Sequence, residues 1–154
     1  MGIEPKFGNG MITAKIASFK NNLEKATLLA LKYLGEDLVK YAKDKHNYTD
    51  QTGNLTNSIG YVVVHNGKSE YYGGFTQPGA GKDSALKIAM QLASGVGSTC
   101  SLIIVAGMDY AAYVEAKGYN VILPAELKAR TDFPATMKRL MDKAKSKAKE
   151  YVND

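Results

Sequence analysis

The sequence predicts an α+β fold: a small, mainly antiparallel sheet packed against a long N-terminal helix and a C-terminal helix, with an extra helix inserted between strands. Three observations predict it. From Ile12 to Ala42 apolar residues recur every three or four positions, the spacing of an amphipathic helix. Two β-rich runs, Ser58 to Val64 and Ser69 to Phe75, flank Asn66-Gly67, the dipeptide best suited to the two positive φ angles of a type I′ hairpin turn. From Phe133 to Val152 a second helical stripe, Met137, Leu140, Met141, Ala144, Ala148 and Tyr151, runs through a lysine-rich background. A sheet face and a helix stripe must bury each other, which gives the layered arrangement.

Taken in order, residues 1–12 hold Pro5, Gly8, Asn9 and Gly10 and are expected to form a flexible N-terminal arm. Thr13 can cap a helix that continues to about Lys45, with Ile16, Phe19, Leu23, Ala26, Ala30, Leu34 and Leu38 on its stripe and Leu28, Leu31 and Val39 widening it. Such a rod is roughly 50 Å long, more than a domain of this size needs to cover its core. Part of it is expected to project or to pack on another subunit, and Gly35 is the candidate for a break into two helices; the alternative is a single amphipathic core helix. His46 to Asn57 is polar and reads as a loop. Gly73-Gly74 ends or bulges the return strand of the hairpin.

Gln77 to Gly81 is a Pro/Gly loop, after which Asp83 caps a helix through Ser94 with Leu86, Ala89, Met90 and Ala93 on one side. Gly95 and Gly97 stop it. Leu102 to Val105 is a short apolar strand ended by Gly107. Asp109 then suits the N-cap of a helical turn that would place Tyr110, Tyr113 and Val114 on one face, with Glu115 next and Gly118 as a left-handed stop. Val121 to Leu123 reads as a short strand or extended loop. The last helix is expected from Phe133, capped by Thr131 or Asp132, with Pro134 in its first turn. No repeat or second domain is visible, so residues 1–154 read as one domain.

The bulk properties narrow the function classes. At 154 residues and 45% hydrophobic content the chain can bury an ordinary core and is not a disordered tail. It has no apolar run long enough for a transmembrane helix, and its first residues lack the apolar segment of a signal peptide. Lys6 stands where a myristoylation motif wants Ser or Thr. Cys100 is alone, which rules out an internal disulfide and fits a reducing compartment. The net charge of +5 comes almost wholly from lysine, with arginine only at Arg130 and Arg139. Base-reading sites favour arginine, so the composition argues against sequence-specific nucleic-acid recognition and leaves a general attraction to polyanions.

Few residues invite a chemical role. Gly79-Ala80-Gly81-Lys82-Asp83-Ser84 looks superficially like a phosphate-binding loop, but Thr76 stands where the first glycine belongs and Asp83 where the hydroxyl belongs. His46 and His65 have no ligand-type neighbours in sequence, so no metal site is expected. Cys100 could act as a nucleophile only beside a base that folding brings near, and a small buried residue at a strand start is the simpler reading. Asp109 and Glu115 are better explained as a cap and a surface or interface charge than as an acid–base pair. The C-terminal lysines read as the solvated face of a helix. Tyr71, Tyr72, Tyr110, Tyr113 and Tyr119 suit part of a subunit contact, where tyrosine is enriched.

Two short stretches resemble a known family. Tyr110-Ala111-Ala112-Tyr113-Val114-Glu115, with Gly118 after it, is similar to a signature of the tail-component and head–tail joining (tail completion, neck) proteins of long-tailed bacteriophages. Upstream, Thr52-Gly53-Asn54-Leu55-Thr56-Asn57-Ser58-Ile59 resembles the TGxLxxSI element of the same family. The order of long helix, TGxLxxSI, strands, YAxYVE and C-terminal helix is kept along nearly the whole chain. The segment from Gly79 to Ser98 departs from it as an extra helix.

The resemblance implies a structural virion protein, not an enzyme, with no catalytic residue, cofactor or metal. It implies a homo-oligomeric ring, hexameric or dodecameric, at the head–tail junction of a particle assembled in the bacterial cytoplasm. The implied partners are other neck, connector and tail proteins, with non-specific contact to DNA passing through the ring and no membrane. The motif positions expected to carry subunit contacts are Thr52, Gly53, Leu55, Ser58, Ile59, Tyr110, Ala111, Tyr113, Val114, Glu115 and Gly118. The residues alone also suit a second class, a small basic cytoplasmic protein that binds nucleic acid without sequence preference.

Overall fold

A computed structural model describes residues 8–76, 78–97 and 99–153. The first helix, α1, runs from Asn9 to Asp44 without a break. It starts before the expected Thr13 cap, because Gly8 occupies the N-cap, and so it absorbs the end of the expected arm; residues 1–7 of that arm lie outside the described residues. Its C-terminal half carries the core stripe, with Leu28, Leu31, Leu34, Leu38, Val39 and Ala42 all buried. Gly35 does not interrupt the helix. It lets the helix lie close to the sheet, since a Cβ at this position would stand 2.6 Å from the Tyr61 ring.

The three strands are β1 (Ile59–His65), β2 (Lys68–Gly73) and β3 (Cys100–Ala106), arranged in the order β2-β1-β3. Both pairings are antiparallel. β1 is central and buried on both faces, which accounts for its continuous apolar run. Ile59, Tyr61 and Val63 face the α1 side, whereas Val62 and Val64 face a smaller cluster formed with the helix that follows β2. The hairpin turn is as expected, with positive φ at Asn66 (53°) and Gly67 (74°). β2 ends at Gly73, as the Gly73-Gly74 pair suggested, and does not run on to Phe75. Gly74 takes φ 86°, and the chain turns so that the Phe75 ring covers Gly60, where no Cβ would fit. Lys43 from α1 donates to the Gly74 carbonyl and to Thr76 Oγ1, and burial lowers its pKa.

The polar stretch after α1 contains one helical turn, α2 (Asn54–Asn57), where a plain loop was expected. The inserted helix, α3, spans Ala80–Ala93. It begins ahead of Asp83, with Gly79 at the N-cap, so Asp83 sits in the first turn instead of capping it. Ala85, Ala89 and Ala93 form its buried edge, and Met90 is exposed. Small residues on that edge allow the helix to approach β1 and β3 closely.

β3 is followed by α4 (Ala111–Ala116) and α5 (Leu123–Asn153). Of the two readings of Val121–Leu123, short strand or extended loop, the strand is absent: Val121 and Ile122 lead directly into α5, which takes in Leu123, and Val121 is buried in the main core. Pro124 therefore lies in the first turn of α5, where a missing N–H costs nothing. Pro134, expected in the first turn, lies inside the helix, and neither Thr131 nor Asp132 is a cap. Lys128 instead bridges Asp132 on its own helix and Asp37 on α1, at 3.4 Å from the latter, and Arg130 pairs with Glu126 at 2.8 Å. α1 and α5 thus form an antiparallel pair beside the sheet. No helix of the described residues is long and apolar enough to cross a membrane.

Candidate functional site

The two stretches that carry the family resemblance fold into one corner, around Tyr48 and the start of β1. In the first stretch Gly53 adopts φ 73° at the N-cap of α2, and Thr52 Oγ1 accepts the Asn54 N–H at 3.3 Å. The Asp50 carboxylate accepts the Thr56 N–H at 2.8 Å, satisfying a backbone donor that a short helix leaves open. Leu55 is buried in the main core. Ser58 is buried too; its hydroxyl donates to the Leu55 carbonyl at 2.7 Å, and its own carbonyl accepts the Gly107 N–H at 3.2 Å. Ile59 is wholly buried at the head of β1. Each named residue of this stretch therefore has a conformational, capping or packing role.

The second stretch works differently from its sequence reading. Asp109 does not cap α4: the N-cap is Tyr110, without a side-chain cap bond. Tyr110 and Tyr113 do not share a buried face with Val114. Ala111 and Val114 turn into the core, while Tyr110 and Tyr113 are exposed, the latter with the Lys117 ammonium 5.1 Å above its ring. Gly118 is left-handed at φ 86°, as expected.

Glu115 is the residue whose role sequence reasoning missed. Its carboxylate accepts three successive backbone N–H groups, from Val121 at 3.1 Å, Ile122 at 2.8 Å and Leu123 at 2.9 Å. These are the donors that the N-terminus of α5 leaves unpaired, and a negative charge there also meets the positive end of the helix dipole. The left-handed turn at Gly118 brings the chain back so that the acid can reach them. Nearby, Asn47 Oδ1 accepts the Asn120 N–H at 2.6 Å, tying the same turn to the end of α1.

Tyr48 joins the two stretches. Its hydroxyl lies 3.0 Å from Thr56 Oγ1, and its pKa is raised by burial, with further upward pushes from the Asp50 and Glu115 charges. Close glycine packing completes the corner. A Cβ on Gly107 would run into the Gly81 carbonyl and stand 2.8 Å from the Ala85 backbone and side chain, while one on Gly81 would stand 2.9 Å from Ser58 Cβ. The end of β3, the start of α3 and the start of β1 are thereby in direct backbone contact.

Of the residues that invite a chemical role, Gly79–Lys82 and His46 border this corner, whereas His65 and Cys100 lie on the sheet. The Gly79–Lys82 segment borders a cavity of about 160 Å³, smaller than the roughly 300–1,000 Å³ of small-molecule sites. The Lys82 ammonium lies over the Tyr72 ring at 5.2 Å. His46 stacks near Tyr48 and bonds the Lys43 carbonyl through Nδ1 at 2.6 Å. Folding places His65 directly across the sheet from Cys100, a juxtaposition the sequence could not reveal. Burial and the Glu24 and Glu70 carboxylates raise the Cys100 thiol pKa, which opposes the thiolate form a nucleophile needs. Among the described residues no group of His, Cys, Asp or Glu is arranged to hold a metal ion. Of the five tyrosines expected at a contact, Tyr72, Tyr110, Tyr113 and Tyr119 are exposed and Tyr71 is half-buried on the β2 edge.

An open groove of about 940 Å³ lies between α1 and α5, lined by Ala26, Ala30, Tyr33, Ala135 and Arg139 among others. Beyond it residues 8 and 10–18 are all exposed, and the apolar side chains of Met11 (53%), Ile12 (46%) and Ile16 (63%) stand in solvent. Comparison with protein-family models, curated proteins and solved structures gives no match for this chain.

Proposed function

We propose that this chain is a structural subunit of a tailed-bacteriophage particle, closing with copies of itself into a ring at the head–tail junction. The observation that carries the reading is the projecting end of α1. An apolar helix end with Met11, Ile12 and Ile16 exposed suits a contact between subunits. The motif corner supports the same class: Ser58, Leu55 and Glu115 serve to lock loops and helix ends, which gives a rigid block from which the α1–α5 arm extends. A heterologous, head-to-tail contact closes a cyclic ring when its rotation divides a full turn, and such a ring can match the connector on one rim and the tail on the other.

The test is quantitative mass spectrometry of gradient-purified particles from the source culture. The reading expects this chain to co-sediment at hexameric or dodecameric stoichiometry relative to the major capsid protein. Particles that form normally while the chain stays in the soluble lysate would overturn it.

One observation favours the second reading, a basic protein that binds nucleic acid without sequence preference. The region from His46 to Val121 holds four lysines against five acids, so the positive surplus lies entirely on the flanking segments that include α1 and α5. A basic helical arm is an electrostatic match for phosphate. Salt-dependent retardation of duplex DNA by the purified chain, together with its absence from particles, would favour this reading over the first.

A further inference from the structure

The two free edges of the sheet are unequal. β2 has the features that keep an edge from pairing with other chains. It carries Lys68 and Glu70, and the register shifts between Val63 and Val64, so Val63 faces Tyr71, Val64 faces Ser69 and Glu70 is left as a bulge. β3 has none of these. Cys100-Ser101-Leu102-Ile103-Ile104-Val105-Ala106 contains no charge and no proline, and its register with β1 is unbroken from Ile59↔Ala106 to His65↔Cys100. Among the described residues no strand pairs with its outer side.

The alternation of an antiparallel ladder tells which backbone groups are open. Gly107 donates to the Ser58 carbonyl, so Val105, Ile103 and Ser101, in step with it, turn their N–H and C=O toward β1. Cys100, Leu102, Ile104 and Ala106 therefore present theirs outward. Their side chains belong to the α1 side of the sheet and those of Ile103 and Val105 to the α3 side, and all except Val105 remain partly exposed. A strand added here would meet apolar residues on both faces.

We infer that β3 is a docking edge for the β3 strand of a second copy of this chain, paired antiparallel about a two-fold axis at Ile103. The register is self-complementary. Centring on Ile103 sets Leu102 opposite Ile104 of the second copy and Cys100 opposite its Ala106, so every outward-facing residue meets an outward-facing residue. Leu102 and Ile104 then pack together on the α1 side, and the two Ile103 side chains pack together on the α3 side. A two-fold axis normal to the sheet keeps the layers of both copies aligned, and the uncharged strand meets no repulsion from itself. The guarded β2 edge of a neighbour offers no such match. This pairing concerns the free chain and does not rest on the phage reading, because an isologous contact is distinct from the heterologous one that closes a ring.

The test is light scattering of the purified chain at high micromolar concentration, combined with cysteine cross-linking in a Cys100→Ser background. The expected mass is twice the 16.7 kDa of one chain. Ile103→Cys should form a disulfide-linked dimer under mild oxidation, and Ser101→Cys, which would face Val105 of the other copy, should not. Ile104→Pro removes an outward N–H that the subunit itself does not use. It should leave the circular-dichroism spectrum intact and halve the mass. A monomer at all concentrations overturns the inference. So does a dimer that survives Ile104→Pro without Ile103→Cys cross-linking. A hexamer or dodecamer lacking that cross-link also overturns it, while supporting the ring reading.

Discussion

Glu115 shows how much one side chain can organise. Three backbone donors converge on its carboxylate. Glu115→Ala should cost about 2 kcal/mol in denaturant unfolding, the upper range for loss of a helix cap strengthened by charge, and Glu115→Gln should recover part of it. Tyr61 gives a second test. It is buried against Gly35, its hydroxyl donates to Glu36 at 3.1 Å, and burial together with Glu36 raises its pKa to about 12. The unfolded chain releases this proton near the ordinary value of 10, whereas the folded chain holds it to about 12. The contribution is thus present below pH 10 and lost as the pH rises toward 12. Unfolding measured across that window should show a steeper loss of stability for the wild type than for Tyr61→Phe.

Among the elements, α5 departs most from its reading. Thr131, Asp132 and Pro134 together look like the start of a helix, because caps and first-turn prolines share that spacing. The helix has in fact begun at Leu123, with Glu115 supplying the cap from outside the local sequence. Pro134 then removes the N–H that would bond the Arg130 carbonyl, a cost the packing of α5 along α1 offsets. Since Pro134 is exposed, Pro134→Ala should stabilise the chain by about 2 kcal/mol, read as a higher denaturation midpoint with an unchanged slope. The α2 turn was hidden for a related reason. Asp50, Thr52 and Gly53 are loop residues by composition, and only the buried Leu55 and the Asp50–Thr56 bond make the intervening turn helical.

On the scale of the whole molecule, the chain divides into a compact block around β1 and an arm built from the ends of α1 and α5. The block is cross-braced by backbone contacts at Gly107 and Gly81, and the arm has apolar residues that nothing among the described residues buries fully. Ile12→Asp combined with Ile16→Asp should leave the unfolding free energy within about 0.5 kcal/mol of the wild type, as expected of surface changes. Under the ring reading the same double variant should drop out of assembled particles, which mass spectrometry of complemented lysates would measure.

The α+β class, the long first helix, the type I′ hairpin, the three strands and the left-handed stop at Gly118 were all legible in the sequence. Each is set by local signals: the period of apolar residues, the β-branched runs, and backbone conformations that favour Asn or Gly. What only the tertiary structure decided is how distant pieces complete one another. Glu115 caps a helix that starts eight residues later, the Tyr61 ring takes the space that a side chain at Gly35 would need, and His65 meets Cys100 through strand register. The unguarded edge of β3 likewise exists only once the order β2-β1-β3 leaves that strand outermost. Local preference is read from neighbours in sequence, whereas caps from afar, close approach and free edges depend on which surfaces the fold brings together.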